Sequence, residues 1–333
     1  GYDFQEVLNE MLGELNVSHT GAGFNQSLPD RDATAAFGLL MSKVQDGSGL
    51  RIDEVLAKGP LDRPGTKVKK GVVLEKVNGI TLGVGVNTAH LLNDLAGTNV
   101  LLSFRGSDGK APWEEVVKAI TASAESSFLY ERWVESRRAL VDSLSGGRLG
   151  YVHVRSMSDP AYRVTFEDAL GRQATTEAMV VDTRWNGGGD LVDDLSTFLN
   201  GFRYATFTTR DDRVIGGEPQ RKWVKPSILL VNEGNYSDGH CFPYAYRTKK
   251  IGQIVGMPIA GTCSWVSGTG MPDGQSSLRT VHLSFDDLTG TPLENQQLEP
   301  DYVVKNTPAL KSMGRDEQVE RAVIELLNQL GGN

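Results

Sequence analysis

The stretch Pro226-Ser-Ile-Leu-Leu-Val-Asn-Glu-Gly-Asn-Tyr-Ser237-Asp238-Gly239 decides how the chain is read. Ile228 to Val231 is a short, wholly apolar run bounded by proline on one side and an Asn/Gly turn on the other. That pattern predicts a strand buried on both faces, followed by a helix to about Tyr246. Ser237 falls where the helix begins. Unpaired N–H groups and the positive end of the helix dipole face a side chain at that position. As a nucleophile, Ser237 would have an oxyanion donor beside it, the N–H of Asp238. As an N-cap it would do nothing but start the helix, and serine is a preferred cap. Taken alone, the segment favours the cap.

A second segment repeats the design. Ala178 to Asp182 reads as a strand, Asn186-Gly187-Gly188-Gly189 as a turn, and Leu191 to Leu199 as a helix. Glycine amides in such a turn can form an anion-binding nest and supply a second oxyanion donor. The Lys-Ser/Thr of a phosphate-binding P-loop is missing, and no G-x-G-x-x-G follows a strand. Further strands are expected at Leu149–Val154, Ile251–Val255, Thr280–Phe285 and Tyr302–Val304. Helices are expected at Tyr162–Leu170 and over 315–330. Strand–turn–helix alternation argues for a sheet covered by helices.

Upstream the pattern changes. Apolar runs at Phe37–Met41, Ile52–Leu56, Val72–Val77 and Val100–Phe104 alternate with Gly, Pro and Asp, with one helical stretch at Thr88–Leu95. This predicts a small β-rich module. Pro112 near the start and Gly146-Gly147 at the end frame a helical connector over 112–145. Near the N-terminus, Phe4, Val7, Leu8, Met11, Leu12 and Leu15 predict an amphipathic helix over 4–15, followed by a polar, glycine-rich stretch, Asn16 to Asp32. The expected domains are 1–35, 36–108, 109–147 and 148–333, in a mixed α/β (α+β) architecture. A length of 333 residues corresponds to about two domains.

The composition, 39% hydrophobic and 23% charged, is that of an ordinary globular chain. No apolar run is long enough to span a bilayer as a helix. A net charge of −8 argues against a nucleic-acid footprint. Two cysteines, Cys241 and Cys263, exclude a disulfide scaffold and a cysteine-rich zinc site. The N-terminus shows no secretory signal. A removed one would leave the compartment open between cytoplasm and periplasm.

A serine nucleophile needs a base, most often histidine. Of His19, His90, His153, His240 and His282, two are candidates. His19 follows Ser18 in a polar loop, and His240 lies three residues after Ser237. An acid to orient the base could come from Leu293-Glu294-Asn295 or from Glu299-Pro300-Asp301.

Taken together the segments resemble the tricorn protease family, relatives of the C-terminal-processing peptidases. The resemblance covers nearly the whole chain in order. It runs through Met11-Leu-Gly-Glu-Leu-Asn-Val-Ser18-His19, Phe37-Gly38-Leu39-Leu40, Gly71-Val-Val-Leu-Glu-Lys-Val-Asn-Gly79, Gly146-Gly-Arg-Leu-Gly-Tyr-Val-His153, Asp182-Thr-Arg-Trp-Asn-Gly-Gly-Gly189, the Ser237 segment and the acidic segment. It implies a PDZ-like domain over 36–108, whose peptide-binding residues would be Gly38, Leu39 and Leu40, and a ClpP/crotonase-like catalytic domain. It further implies a serine peptidase with nucleophile Ser237, base His19, bridging Ser18 and orienting Glu294. Asp238 with Gly187 or Gly188 would form the oxyanion hole. No cofactor or metal is implied. Peptides are the implied substrates, and copies of this chain the implied partners.

The family's large N-terminal propellers are absent and the helix before Ser18 is short, so a fragment or reduced relative is expected. Val72-Val73 stand where many relatives carry an acidic residue. The competing readings are a catalytically degenerate PDZ-bearing scaffold and a crotonase-like acyl-transfer enzyme.

Overall fold

The computed structural model describes residues 1–25, 32–106 and 111–331. The chain divides into two compact units, Ser27–Ser136 and the remainder, Gly1–Gln26 with Arg137–Asn333.

The larger unit is built on a parallel sheet of five strands. In order across the sheet they are Leu149–His153, Ala178–Asp182, Ser227–Val231, Ile254–Gly256 and Tyr302–Val303. Every residue of the second and third strands is buried. Parallel strands need helical crossovers that cover both faces, which is why their sequences are continuously apolar rather than alternating. Helices Asp159–Glu167, Val192–Leu199, Asp238–Thr248 and Glu317–Gly331 provide that cover. Leu195, Phe198, Phe242 and Tyr246 lie in the core with Val181, Leu229 and Ile254. Each such side chain contributes about 1.5–3 kcal/mol by leaving water.

The expected strand over 280–285 forms, as Ser276–Ser284, but outside this sheet. It pairs antiparallel with Ser264–Gly270 and with Gly21–Phe24 in a separate three-stranded sheet. Gly21–Phe24 lies in the stretch expected to be only a polar loop, part of which falls outside the described residues. Its register, Gly21 opposite Arg279 and Phe24 opposite Ser276, ties the N-terminus to a segment more than 250 positions away.

The N-terminal helix spans Tyr2–Gly13. Its apolar stripe is not the buried face that periodicity predicts. Phe4, Val7 and Met11 are exposed, and Leu12 is its buried residue. The Asn9 side chain fixes the helix instead, accepting from Ala22 N at 2.7 Å and donating to Ala22 O at 3.2 Å.

The smaller unit holds an antiparallel sheet of Leu39–Lys43, Leu50–Val55, Val73–Val77, Asn99–Arg105 and Trp113–Lys118, with Ile80–Thr81 beside Val73–Val77. Helix Thr88–Leu92 is capped by Asn87, which accepts from Ala89 N and His90 N. One expectation fails here. The connector is not helical from 112. Trp113–Lys118 is a strand paired with Asn99–Arg105, and the helix runs Ala122–Ser145. The alternation of partly buried Trp113 and Glu115 and buried Val117 with exposed neighbours has period two, and it outweighs the helical preference of the glutamates. The expected boundary at 108/109 lies outside the described residues.

Candidate active site

The two turns that the sequence singles out lie at the carboxyl ends of adjacent parallel strands, where open α/β sheets present ligands. Three asparagines tie them together. Asn186 donates to Val154 O at 2.9 Å, and its backbone carbonyl accepts Tyr236 N–H at 2.9 Å. Asn232 Oδ1 accepts Trp185 N–H at 2.9 Å. Asn235 Nδ2 donates to Thr183 O at 2.9 Å and Gly239 O at 3.0 Å. Beneath the glycine turn, the buried Arg184 guanidinium pairs with Asp182 at 2.6 Å and Asp316 at 2.9 Å. Burial alone would raise the Asp316 carboxyl, but Arg184 outweighs it and holds it at about 2.

Ser237 precedes the first helical residue, Asp238, at φ 57° and ψ −128°. Its side chain makes no capping hydrogen bond, so the plain reading of Ser237 as a helix cap fails. A non-glycine residue in that conformation costs on the order of 1–3 kcal/mol, and such strain gathers at functional sites. The glycine turn lies directly against it. Gly188 has φ +97°, and a methyl group added there would meet Ser237 Cβ at 2.5 Å and Asp238 N at 3.0 Å.

The amides around this point are unequal. Asp238 is the first residue of its helix and has no intrahelical acceptor for its N–H. Gly188 N–H donates to Asn186 Oδ1 at 2.9 Å, an acceptor with which an oxyanion there would have to share that donor. Gly187 N–H has no acceptor among the described residues.

Ser18 and His19 arrive from the strand Gly21–Phe24. Glu294 receives both donors of Ser18, the backbone N–H on Oε1 at 2.6 Å and the hydroxyl on Oε2 at 3.0 Å. Ser18 Oγ lies 2.6 Å from His19 Nδ1. The His19 backbone N–H donates to the Tyr236 hydroxyl at 2.8 Å, and the two rings lie tilted by 39° with centroids 4.6 Å apart. The imidazole thus rests on the residue before Ser237. Its Nε2 is buried and has no hydrogen-bond partner among the described residues. Burial lowers the His19 pKa, Glu294 opposes that, and the Arg279 charge adds to it.

The rival groups lie elsewhere. His240 is buried, and its Nδ1 accepts Thr262 N–H at 3.1 Å. Burial pushes its pKa down to about 4, against the pull of Glu294. Glu299 is exposed, and its carboxylate accepts from the Gln297 side chain. His153 Nε2 is 3.1 Å from Arg184 O, within the scaffold. Sequence reasoning missed Tyr236, Thr262 and Ser264, and it missed that Cys241 and Cys263 are bonded to each other, with Cα atoms 5.3 Å apart.

Gly38, Leu39 and Leu40 lie in the other unit. Gly38 (φ +70°) precedes the edge strand Leu39–Lys43, and its N–H donates to Glu125 Oε1 at 2.9 Å. Leu39 is buried and Leu40 half-buried.

Residues 148–304 match the model of peptidase family S41, and residues 43–121 match that of the tricorn protease PDZ domain. Tricorn protease homolog 1 of Streptomyces coelicolor is 30% identical over 342 residues, covering 96% of this chain and 30% of the relative. The tricorn protease of Thermoplasma acidophilum is 24% identical over 349 residues, 99% of this chain and 31% of the relative. A crystal structure of the tricorn protease superposes with a TM-score of 0.87 at 22% identity, covering 99% of this chain and 32% of that one. The chain therefore spans under a third of the length of these two curated relatives. Fold and matches define a chain that pairs an S41 peptidase-family domain with a tricorn-type PDZ domain. The chain belongs to peptidase family S41, in its tricorn branch.

Proposed function

We propose that the chain hydrolyses peptide bonds through a serine acyl-enzyme, with Ser237 as nucleophile and His19 as general base. His19 Nε2 takes the Ser237 proton as the hydroxyl oxygen attacks the scissile carbonyl. It returns that proton to the leaving amine, and water then releases the acyl group by the same route reversed. The Asp238 and Gly187 amides receive the oxyanion. Ser18 accepts the His19 Nδ1–H and passes its own hydroxyl proton to Glu294 in a hydrogen bond, which fixes the tautomer and stabilises the imidazolium.

The observation that carries this reading is the unpartnered, buried Nε2 of His19 beside the nucleophile turn. A buried polar atom without a partner requires a reason. Here the reason is an acceptor kept vacant for the Ser237 proton. The 2.6 Å and 3.0 Å contacts of Ser18 supply the rest of the relay.

Peptides are the proposed substrates, and copies of this chain the proposed partners. Sedimentation of the purified protein tests the latter. Labelling by a serine-reactive phosphonate tests the chemistry. Covalent modification of wild type but not of Ser237→Ala is expected, and an unlabelled wild type would favour the degenerate scaffold.

A further inference from the structure

Thr262, Cys263 and Ser264 belong to none of the motifs read from the sequence, yet each touches a different part of the site. Thr262 Oγ1 accepts the Ser237 N–H at 3.1 Å, while Thr262 N–H donates to His240 Nδ1. Cys263 is bonded to Cys241, one turn into the nucleophile helix. Ser264 Oγ lies 3.3 Å from His19 Nδ1 and 3.3 Å from Ser18 Oγ. Cys241 and Cys263 also pack with Leu293, the residue before Glu294.

We propose that Ser264 is a positioning residue for His19. It is a second hydroxyl that receives the imidazole Nδ1–H, held in place relative to the nucleophile by the Cys241–Cys263 bond. The proposal rests on the reading of His19 as the base. Ser264 is only 7% exposed, so its hydroxyl must find partners inside the protein. Those within reach are His19 Nδ1 and Ser18 Oγ. Ser18 alone gives the ring one anchor, about which it can rock. An acceptor off that axis fixes the tilt of the ring, and with it the direction of Nε2. When Nε2 takes a proton, the Nδ1–H becomes a stronger donor, and two oxygens share it.

The backbone of Ser264 is set from both sides. Ser264 opens the strand Ser264–Gly270 opposite Ser284, and the preceding residue is bonded to the helix that follows Ser237. Base and nucleophile are thereby referenced to one segment. The other groups facing His19 are Glu294 through Ser18, Arg279 from the strand Ser276–Ser284 and Tyr236 from the nucleophile turn. Truncating Ser264 removes none of these groups, although Ser18 Oγ loses its 3.3 Å neighbour.

The test is a pH–rate profile of wild type, Ser264→Ala and Ser264→Thr with a fluorogenic peptide, alongside an NMR titration of the His19 ring. Ser264→Ala is expected to lower kcat about tenfold with KM unchanged. Losing an acceptor for Nδ1–H disfavours the imidazolium, so the His19 pKa falls and the acid limb of kcat/KM moves to lower pH. Ser264→Thr, which keeps the hydroxyl, restores most of the rate. Reducing the disulfide slows wild type more than Ser264→Ala. A Ser264→Ala variant with the wild-type His19 titration overturns the proposal, and so does a loss of activity that tracks melting temperature without a pH shift. If wild type hydrolyses nothing, the reading of Ser237 and His19 fails, while the His19 titration still decides the role of Ser264.

Discussion

Each unit places a left-handed glycine at or beside a backbone amide outside the strand ladders, and the two differ in what that amide meets. In the catalytic unit Gly188 lies against Ser237, and the amides of Gly187 and Asp238 have no acceptor among the described residues. In the PDZ unit Gly38 leads into an edge strand, and its amide is taken at 2.9 Å by the carboxylate of Glu125. Both are backbone sites suited to an oxygen anion. In the proposed mechanism the first receives charge that develops on a substrate, whereas the second is filled by the chain's own side chain. A motif therefore marks an anion-binding geometry, and only the neighbouring side chains say whether that site is open.

The comparison breaks most sharply at Ser237. Ser237→Ala and His19→Ala are each expected to lower kcat by roughly 10⁴–10⁶ with little change in melting temperature, as for triads that act as a unit. Steady-state hydrolysis of a fluorogenic peptide measures it. His19→Ala with full activity and His240→Ala with none would transfer the base to His240 and make the vacant Nε2 of His19 incidental.

Gly188→Ala is expected next, with kcat lower by about 10²–10³. The new methyl would lie 2.5 Å from Ser237 Cβ and would also have to adopt φ +97°, so nucleophile and oxyanion amides must separate. Burst-phase acylation kinetics would follow it, and an unimpaired burst would mean the glycine turn does not contribute to the oxyanion site.

These outcomes bear on why some of the molecule is legible in its sequence and some is not. The strands Ala178–Asp182 and Ser227–Val231 are readable because burial on both faces demands unbroken apolar runs. The Asn/Gly turns after them are readable because few residues tolerate their backbone. Gly21–Phe24 is not. It is four residues long, half glycine, and its partner lies more than 250 positions away, so no local pattern announces the pairing that carries His19 to the site. Glu294 and Glu299 differ only in where the chain bends after Leu293, and the Cys241–Cys263 spacing says nothing about pairing. The Ser18-His19 pair was identified through family resemblance, since a single histidine in a polar loop has no distinguishing physics.

His240 gives an effect of intermediate size, and in stability rather than rate. Its pKa is near 6.5 unfolded and about 4 folded. The unfolded chain therefore binds the proton first, and stability falls as pH drops from about 6.5 to about 4, by about 3 kcal/mol in all. Urea unfolding of wild type and His240→Gln across that range measures it, and equal slopes would mean the imidazole is not buried as a neutral group. His19, lowered in the same sense, places the acid limb of kcat/KM below 6.5. The two are separable because one is read in unfolding and the other in turnover.

The smallest expected effect tests the closed half of the comparison. If Glu125 occupies the position where a peptide carboxylate would meet Gly38 N–H, then Glu125→Ala opens that amide without altering the edge strand Leu39–Lys43. Losing one intramolecular competitor of about 1 kcal/mol corresponds to about a fivefold gain in affinity for a peptide with a free C-terminal carboxylate. An amidated peptide should gain nothing. Glu125→Gln keeps an oxygen acceptor but not its charge, so it should fall between wild type and alanine. Fluorescence anisotropy on the full chain carrying Ser237→Ala, so that peptides survive, resolves the three. Equal affinities for free and amidated peptides in every variant would mean that Glu125 braces the Gly38 turn and guards no site. The two units would then differ in function and not merely in occupancy.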